Sequence, residues 1–262
     1  MKFVVAIPAR YASTRLPGKP LLELAGKPMI RHVYERGVES GADEVVIATD
    51  DDRIAEVARG FGAEVVMTAA DHLSGTDRLA EVAREKNWPD ERIVVNLQGD
   101  EPMIPRVLPR RVAEDLHAHA DAAVSTLAVP IRTREEVFDP SAVNVVMDAA
   151  GYALTFSRAP IPWWREGFQD ADVQGLPREM IYHRHVGLYA YRTGFLHQYR
   201  ELGPSPLEQV ECLEQLRVLW HGHRIHVAVV DEAPGHGVDT LDDLGRLRAL
   251  MESTRSHPLE KR

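Results

Sequence analysis

The strongest chemical signature lies near the start of the sequence. The apolar run Phe3-Val4-Val5-Ala6-Ile7 leads into IPARYASTRLPGKPL (residues 7–21), which carries Arg10, Arg15 and Lys19 and no acid. Gly18 and the small residues Ala9, Ala12 and Ser13 let backbone N–H groups come close to a ligand. Guanidinium forks, an ammonium and lining amides together suit a polyphosphate. A merely solvated loop has no need to follow a buried strand with several cations and no acid. The stretch lacks G-x-x-x-x-G-K-[ST], so it is not a Walker loop. Gly60 and Gly62 in GFGAEV follow a helical pattern and precede a strand, the wrong order for a dinucleotide fingerprint.

A second element is VNLQGDEPMI, where Asp100 and Glu101 follow an apolar strand ending at Leu97. A carboxylate there can hold Mg²⁺ against phosphates, because Mg²⁺ takes one or two carboxylates and completes its shell with phosphate oxygens and water. The competing reading is an acidic cap on a helix after Pro102. His183, Arg184 and His185 open a strand and could bind a carboxylate. His221, His223 and His226 in HGHRIH read as exposed histidines, since a strand places the first two on one face and the third on the other. Glu208, Glu211 and Glu214 read as a solvated helix face, and Cys212, in an apolar helical pattern, as a buried thiol.

These residues need a scaffold that brings distant loops to one edge. Strand patterns at Val4–Ile7, Glu44–Thr49, Glu64–Met67 and Ile93–Leu97 alternate with helical patterns through Pro28–Val38, Asp52–Phe61 and Ser74–Lys86. On the first of these helices Ile30, Val33, Tyr34 and Val38 are spaced to face inward, with Pro28 in the first turn. Further strands are expected at Ala122–Val129, Asn144–Met147, Tyr152–Phe156, Val186–Tyr191 and Ile225–Val230. A helix is expected over Ser205–Trp220, burying Leu207, Val210, Leu213 and Leu216, and another from near Leu241. IPWWREGFQDADVQGLPREM reads as a long loop or excursion. The fold class is α/β, a mixed, mainly parallel sheet flanked by helices, whose ligand crevice lies at the carboxyl ends of the strands.

The chain has 262 residues, 44% of them hydrophobic, enough for a full core. Lys and Arg number 31 against 40 Asp and Glu, a formal −9, which argues against a nucleic acid polymer as partner. A single cysteine excludes an intramolecular disulfide or a thiolate zinc cluster. No apolar run reaches the roughly 18–20 residues of a membrane helix. A soluble cytoplasmic protein without a membrane partner is expected.

The opening loop with QGDEP resembles the sugar nucleotidyltransferases, and so implies a fold like theirs. More closely, that loop, MTAADHLSGTDRLAEV, VNLQGDEPMI, TLAVPI, YALTFSRAPIPW, RHVGLYAYR, PSPLEQVECLEQLRVL and GVDT, in this order, resemble the 3-deoxy-manno-octulosonate cytidylyltransferases. The resemblance weakens from Trp164 to Met180 and after Met251. It implies transfer of a cytidylyl group from CTP to the anomeric C2 hydroxyl of 3-deoxy-D-manno-octulosonate (Kdo), releasing pyrophosphate, for lipopolysaccharide synthesis. Arg10, Arg15 and Lys19 match the triphosphate loop. Ala70, Asp71, Ser74, Gly75 and Arg78 match the segment holding cytosine and ribose. Gln98, Arg158, His185, Tyr189, Glu214 and Gln215 match the sugar site, with Arg158 and His185 as partners of its carboxylate. Asp100 and Asp239 match the ligands of Mg²⁺. Asp239 taken alone reads as a helix cap. The resemblance further implies one nucleotidyltransferase domain over 1–262 and a homodimer built from an excursion at about 130–200. Two alternatives stay open: the same reaction on 8-amino-Kdo or a sialic acid, and a nucleotide-binding regulator without catalysis.

Overall fold

The computed structural model describes residues 1–12, 16–72, 74–170, 172–231, 235, 237–238 and 240–256, with 252–256 as backbone alone. In chain order the elements are β1 (Phe3–Ala9), β2 (Glu23–Leu24), β3 (Lys27–Pro28), α1 (Met29–Glu39), β4 (Glu44–Thr49), α2 (Asp52–Gly60), β5 (Glu64–Met67) and α3 (Gly75–Glu85). There follow β6 (Ile93–Asn96), α4 (Leu108–Ala118), β7 (Val124–Pro130), α5 (Arg134–Val137), β8 (Asn144–Met147), β9 (Ala153–Ser157), β10 (His183–Arg192) and α6 (Thr193–Tyr199). The chain then runs through α7 (Pro206–Glu211), α8 (Gln215–Trp220), β11 (Ile225–Val229) and α9 (Leu241–Ser256). The α/β class with a mixed, mainly parallel sheet and flanking helices is the one the sequence implies. The chain forms two compact units, one from residues 2–87, 96–110 and 234–262, the other from residue 1, 88–95 and 111–233.

In the first unit β1 pairs with β4 and β4 with β5, all parallel, with Ile7 opposite Ile47 and Ala48 opposite Val66. Phe3 to Ile7 are fully buried, which is why this strand reads as a continuous apolar run and not as an alternation. Burial of each of the Phe, Val and Ile side chains here contributes about 1.5–3 kcal/mol relative to exposure. On α1 the inward stripe is Met29, Ile30, Val33 and Gly37, while Val38 is exposed. A β-carbon on Gly37 would lie 3.0 Å from Val45 Cγ1 and 3.2 Å from Val5 Cγ1, so close packing on the strands turns this helix away from the expected face. Pro28 is the N-cap residue and not part of the first turn.

Helix starts in this unit follow side-chain chemistry legible in the sequence. Asp51 accepts from the backbone N–H groups of Arg53 and Ile54, and Ser74 from that of Asp77. At α9 Thr240 Oγ1 accepts from Asp243 N–H at 3.2 Å, and Asp243 Oδ2 accepts from Thr240 N–H at 2.8 Å. This helix buries Leu244 and Leu247 with Leu16, Leu24, Met29 and Val238.

In the second unit β7 lies between antiparallel β10 and parallel β11; β10 also pairs with β8, and β8 with β9, both antiparallel. The excursion forms no helix or strand among its described residues from 161 to 180. It folds around its own small core of Ile131, Val137, Phe168 and Tyr182, with Trp164 and Leu176 against it. The guanidinium of Arg134 gathers the loop by donating to the carbonyls of Gly167, Phe168, Asp170 and Val173.

The expected helix over Ser205–Trp220 is broken. Cys212 has φ 54° and ψ 47°, separating α7 from α8, and its thiol is exposed instead of buried. Leu207 is exposed and Val210 is 85% exposed, while Leu213 and Leu216 are buried as expected. The buried position on α7 is taken by Glu208, whose carboxylate closes a capping box with Ser205 and accepts from Arg217 Nε at 2.8 Å. A buried ion pair needs its hydrogen-bonding capacity satisfied, and Ser205 and Arg217 meet that need for Glu208.

Candidate active site

Within the first unit the opening loop is closed by Gly18 N–H donating to the Tyr11 carbonyl at 2.9 Å. Gly18 has φ +70°, which favours glycine, and a β-carbon there would also crowd the Tyr11 ring at 3.0 Å. Arg10 is exposed. Arg15 lies outside the described residues. Lys19 Nζ donates to Asp100 Oδ2 at 2.6 Å and to the Val238 carbonyl at 2.8 Å. Two of the sequence-derived residues, 81 positions apart, are thereby brought together.

The approach of Asp100 depends on Gly99, where a β-carbon would lie 2.9 Å from the Pro8 carbonyl oxygen. Leu97 N–H donates to the Ala6 carbonyl, fixing the following turn beside the end of β1. The capping alternative for Asp100 and Glu101 has no helix to cap, since the next one begins at Leu108. Val238 N–H donates to the Asp100 carbonyl at 3.0 Å, while Asp239 lies outside the described residues. Thr240 and Asp243 cap the start of α9.

At the start of α3, Gly75 faces the strand ends, a β-carbon there lying 3.4 Å from Pro8, 3.7 Å from Asn96 Nδ2 and 3.9 Å from Gln98 Nε2. Ala70 and Asp71 are exposed, and Ser74 is half-buried. The loop carrying them is clamped by Glu81, which accepts from Ala69 N–H at 3.1 Å and from His72 Nε2. Burial opposes ionisation of Glu81, but the hydrogen bonds from His72 and Ala69 outweigh it and hold its carboxyl below the usual range. Arg78 is buried and braced, its guanidinium donating to Asp50 Oδ2 at 3.2 Å and to Thr68 Oγ1. Neither His72 nor Glu81 stands out in the sequence, because a loop residue and a helix residue nine positions apart share no periodicity.

The second unit holds Arg158, His185, Tyr189, Glu214 and Gln215. Arg158 Nε donates to the Glu211 carbonyl at 3.0 Å and its NH1 to the Pro140 carbonyl at 2.9 Å. His185 and Tyr189 lie on β10 with ring centroids 5.4 Å apart. Thr126 Oγ1 lies 3.0 Å from His185 Nε2 and within reach of the Val186 and Leu188 carbonyls, which take its one hydrogen. The oxygen therefore accepts from a His185 Nε2–H. Burial, helped by the Arg184 charge, pushes the His185 pKa down to about 3, so its ring is neutral at pH 7. His185 is therefore a neutral hydrogen-bonding group in the folded chain. Burial also raises the Tyr189 phenol well above its ordinary value, keeping it a donor. Gln215 is buried with its Nε2 lacking a partner among the described residues, and Glu214 is exposed.

The same unit corrects the reading of the histidines. His226 is buried, its Nδ1 2.7 Å from Asp115 Oδ2, its Nε2 3.1 Å from the Ala150 carbonyl, and its ring stacked on His119. Asp115, His119 and His226 are a group able to hold a metal ion, with donor atoms all within 4.8 Å. Asp115 Oδ2 also accepts from Ser125 Oγ at 2.6 Å. Burial opposes ionisation of Asp115, but the bonds from His226 and Ser125 prevail and lower its pKa. Two of the charges expected to be solvated, on Glu208 and Glu211, are also engaged internally. No described helix is long and apolar enough to cross a membrane.

Comparison with known proteins agrees with this geometry. The cytidylyltransferase family model matches residues 4–225. A 3-deoxy-manno-octulosonate cytidylyltransferase of Nitrosococcus oceani is 57% identical over 251 residues, covering 96% of this chain and 97% of the relative. One of the same name from Yersinia enterocolitica is 55% identical over 254 residues, covering 96% and 99%. A solved structure of CMP:2-keto-3-deoxy-manno-octonic acid synthetase complexed with CTP superposes with a TM-score of 0.87 at 44% identity, covering 97% of this chain and 99% of that one. The chain therefore belongs to the cytidylyltransferase family and, within it, to the 3-deoxy-manno-octulosonate cytidylyltransferases.

Proposed function

We propose that the protein transfers the cytidylyl group of CTP to the C2 hydroxyl of Kdo, giving CMP-Kdo and pyrophosphate for lipopolysaccharide synthesis. The observation that carries this reading is the Lys19–Asp100 contact at 2.6 Å, an ammonium and a carboxylate at one point beside the glycine-closed loop. Arg10, Arg15 and Lys19 take the triphosphate. Ala70, Asp71, Ser74 and Gly75 meet the nucleoside, with Arg78 as a buried brace behind them. Gln98, Arg158, His185, Tyr189, Glu214 and Gln215 receive the sugar, Arg158 facing its carboxylate.

Asp100 fits Mg²⁺ in donor chemistry: it is a hard oxygen ligand, its side chain is 33% exposed, and its present partner is a cation that a phosphate could draw away. Asp100 and Asp239 would hold the ion, which when bound neutralises charge developing on the transferred phosphate. No covalent nucleophile is required. The chain's own groups position an alcohol in line with the α-phosphorus and spread the charge of the leaving pyrophosphate over Arg10, Arg15 and Lys19. The protein is proposed to work in the cytoplasm as a homodimer, as a single catalytic domain whose excursion at about 130–200 meets the partner.

Pyrophosphate release with CTP, Mg²⁺ and a panel of Kdo, 8-amino-Kdo and a sialic acid tests the assignment. Turnover fastest with Kdo is expected. Preference for another acid sugar would replace the substrate, and no turnover with any of them would favour the regulator. GTP and ATP should be rejected, since a base lacking the right hydrogen-bonding edge leaves buried polar groups unpaired.

A further inference from the structure

We infer that Glu211 is a positioning residue for Arg158, and that the helix break at Cys212 is what makes it one. The inference rests on the reading of Arg158 as the partner of the sugar carboxylate. In an unbroken helix over 205–220 the Glu211 carbonyl would accept from the N–H of residue 215 and point along the helix axis. Cys212 adopts a left-handed conformation, its N–H turning back to the Glu208 carbonyl, so α7 ends there. The released Glu211 carbonyl accepts from Arg158 Nε at 3.0 Å. The side chain of Glu211 holds the same residue from its other end. Its Oε2 accepts from Arg158 N–H at 3.0 Å and its Oε1 from Ser157 Oγ at 2.5 Å. Arg158 NH1 is fixed by the Pro140 carbonyl at 2.9 Å, and Ser157 Oγ accepts from Ala159 N–H at 3.0 Å.

Glu211 thus grips both the backbone and the guanidinium of Arg158, and does so without placing its carboxylate against the guanidinium. The guanidinium partners are neutral carbonyls, so the arginine keeps its positive charge for a ligand. Two of its five N–H donors are spent on orientation, and the rest of the fork stays available for a bidentate carboxylate.

The test compares Arg158→Ala, Glu211→Ala, Glu211→Gln, Cys212→Gly and Cys212→Val in steady-state kinetics against both substrates, with folding checked by circular dichroism and melting. Glu211→Ala is expected to raise KM for Kdo about tenfold, the scale of losing one or two charge-assisted hydrogen bonds, with KM for CTP unchanged. Glu211→Gln, which can still accept from Arg158 N–H, should recover part of that loss. Cys212→Gly keeps the left-handed turn and should act like the parent. Cys212→Val disfavours positive φ and should act like Glu211→Ala. In an Arg158→Ala background Glu211→Ala should add nothing further, because its effect passes through Arg158.

Loss of Kdo affinity in Arg158→Ala with none in well-folded Glu211→Ala would overturn the positioning role. Additive effects in the double variant would overturn it too. If Arg158→Ala lowered only the melting temperature and left KM for Kdo alone, Arg158 would be a helix cap and the reading beneath the inference would fail instead.

Discussion

Two cations, one in each unit, are held in opposite ways. Lys19 is met by a carboxylate and one carbonyl, so in the free protein its charge is neutralised. Arg158 is met by two carbonyls, so its charge is oriented but not cancelled. On the function proposed above, a group that shares its partner with an arriving metal and triphosphate can begin paired, because both members of the pair find new partners together. A group that captures a lone carboxylate gains more from keeping its charge unspent. On that proposal the contrast separates a site built for exchange from one built for capture.

The contrast can be broken most severely at Asp100. Asp100→Asn should lower kcat/KM by about 10²–10³, the scale of removing one charge-stabilising group from a transition state, while melting near the parent. A rate within threefold of the parent at limiting Mg²⁺ would remove Asp100 from the site. Arg158→Lys should come next. An ammonium cannot make both fork contacts while also reaching a carboxylate, so KM for Kdo should rise about tenfold or more. An unchanged KM would show that a point charge suffices and would erase the distinction from Lys19.

A pH experiment sharpens the comparison inside the second unit. The folded His185 pKa of about 3 lies below its ordinary value of 6.5, so below pH 6.5 the unfolded chain takes up a proton that the folded chain refuses. The contribution is fully present above pH 6.5 and is lost as pH falls towards 3. Its slope is at most about 1.4 kcal/mol per pH unit. Denaturant melts at pH 7 and pH 5 should show a smaller loss for His185→Gln than for the parent, and equal losses would put the imidazole in water. The smallest effect is expected at Thr240. Thr240→Ala should cost about 0.5–2 kcal/mol of stability through the α9 cap and leave turnover in the folded fraction intact, whereas Asp239→Asn should do the reverse.

What could be read from the sequence follows the range of the forces involved. β4, β5 and β8 fall on the expected residues, because buried parallel strands and short β-branched runs announce themselves locally. The helix starts near Asp52 and Ser74 were legible for a similar reason, as the signals that begin a helix act within a few residues. The broken helix was not, since Leu207, Val210, Leu213 and Leu216 have the right spacing, whereas the Glu208–Arg217 pair and the contact of Glu211 with the distant Arg158 leave no periodic trace. His226 escaped likewise: strand alternation places it opposite His221 and His223, but the acid that it meets is 111 residues away. The cationic loop and QGDEP were visible as chemistry, and their joining through Lys19 and Asp100 required the fold.

The contacts of Lys19 with Asp100 and Val238 also bear on when the site comes into being. Its acceptors lie 81 and 219 residues further along the chain. Closing loops of such length is entropically unfavourable and slow, and contacts of this separation form late in folding. A growing polypeptide cannot complete the ammonium's coordination until residue 238 has left the ribosome, by which time β1, β4 and β5 have long been available to pair. On the proposed reading, the loop that takes the triphosphate is synthesised early and its grip on Lys19 is completed late. Stalled or truncated chains would hold a folded sheet beside a loop with only part of its grip on Lys19, so competence to engage nucleotide would arrive with the final stretch of synthesis.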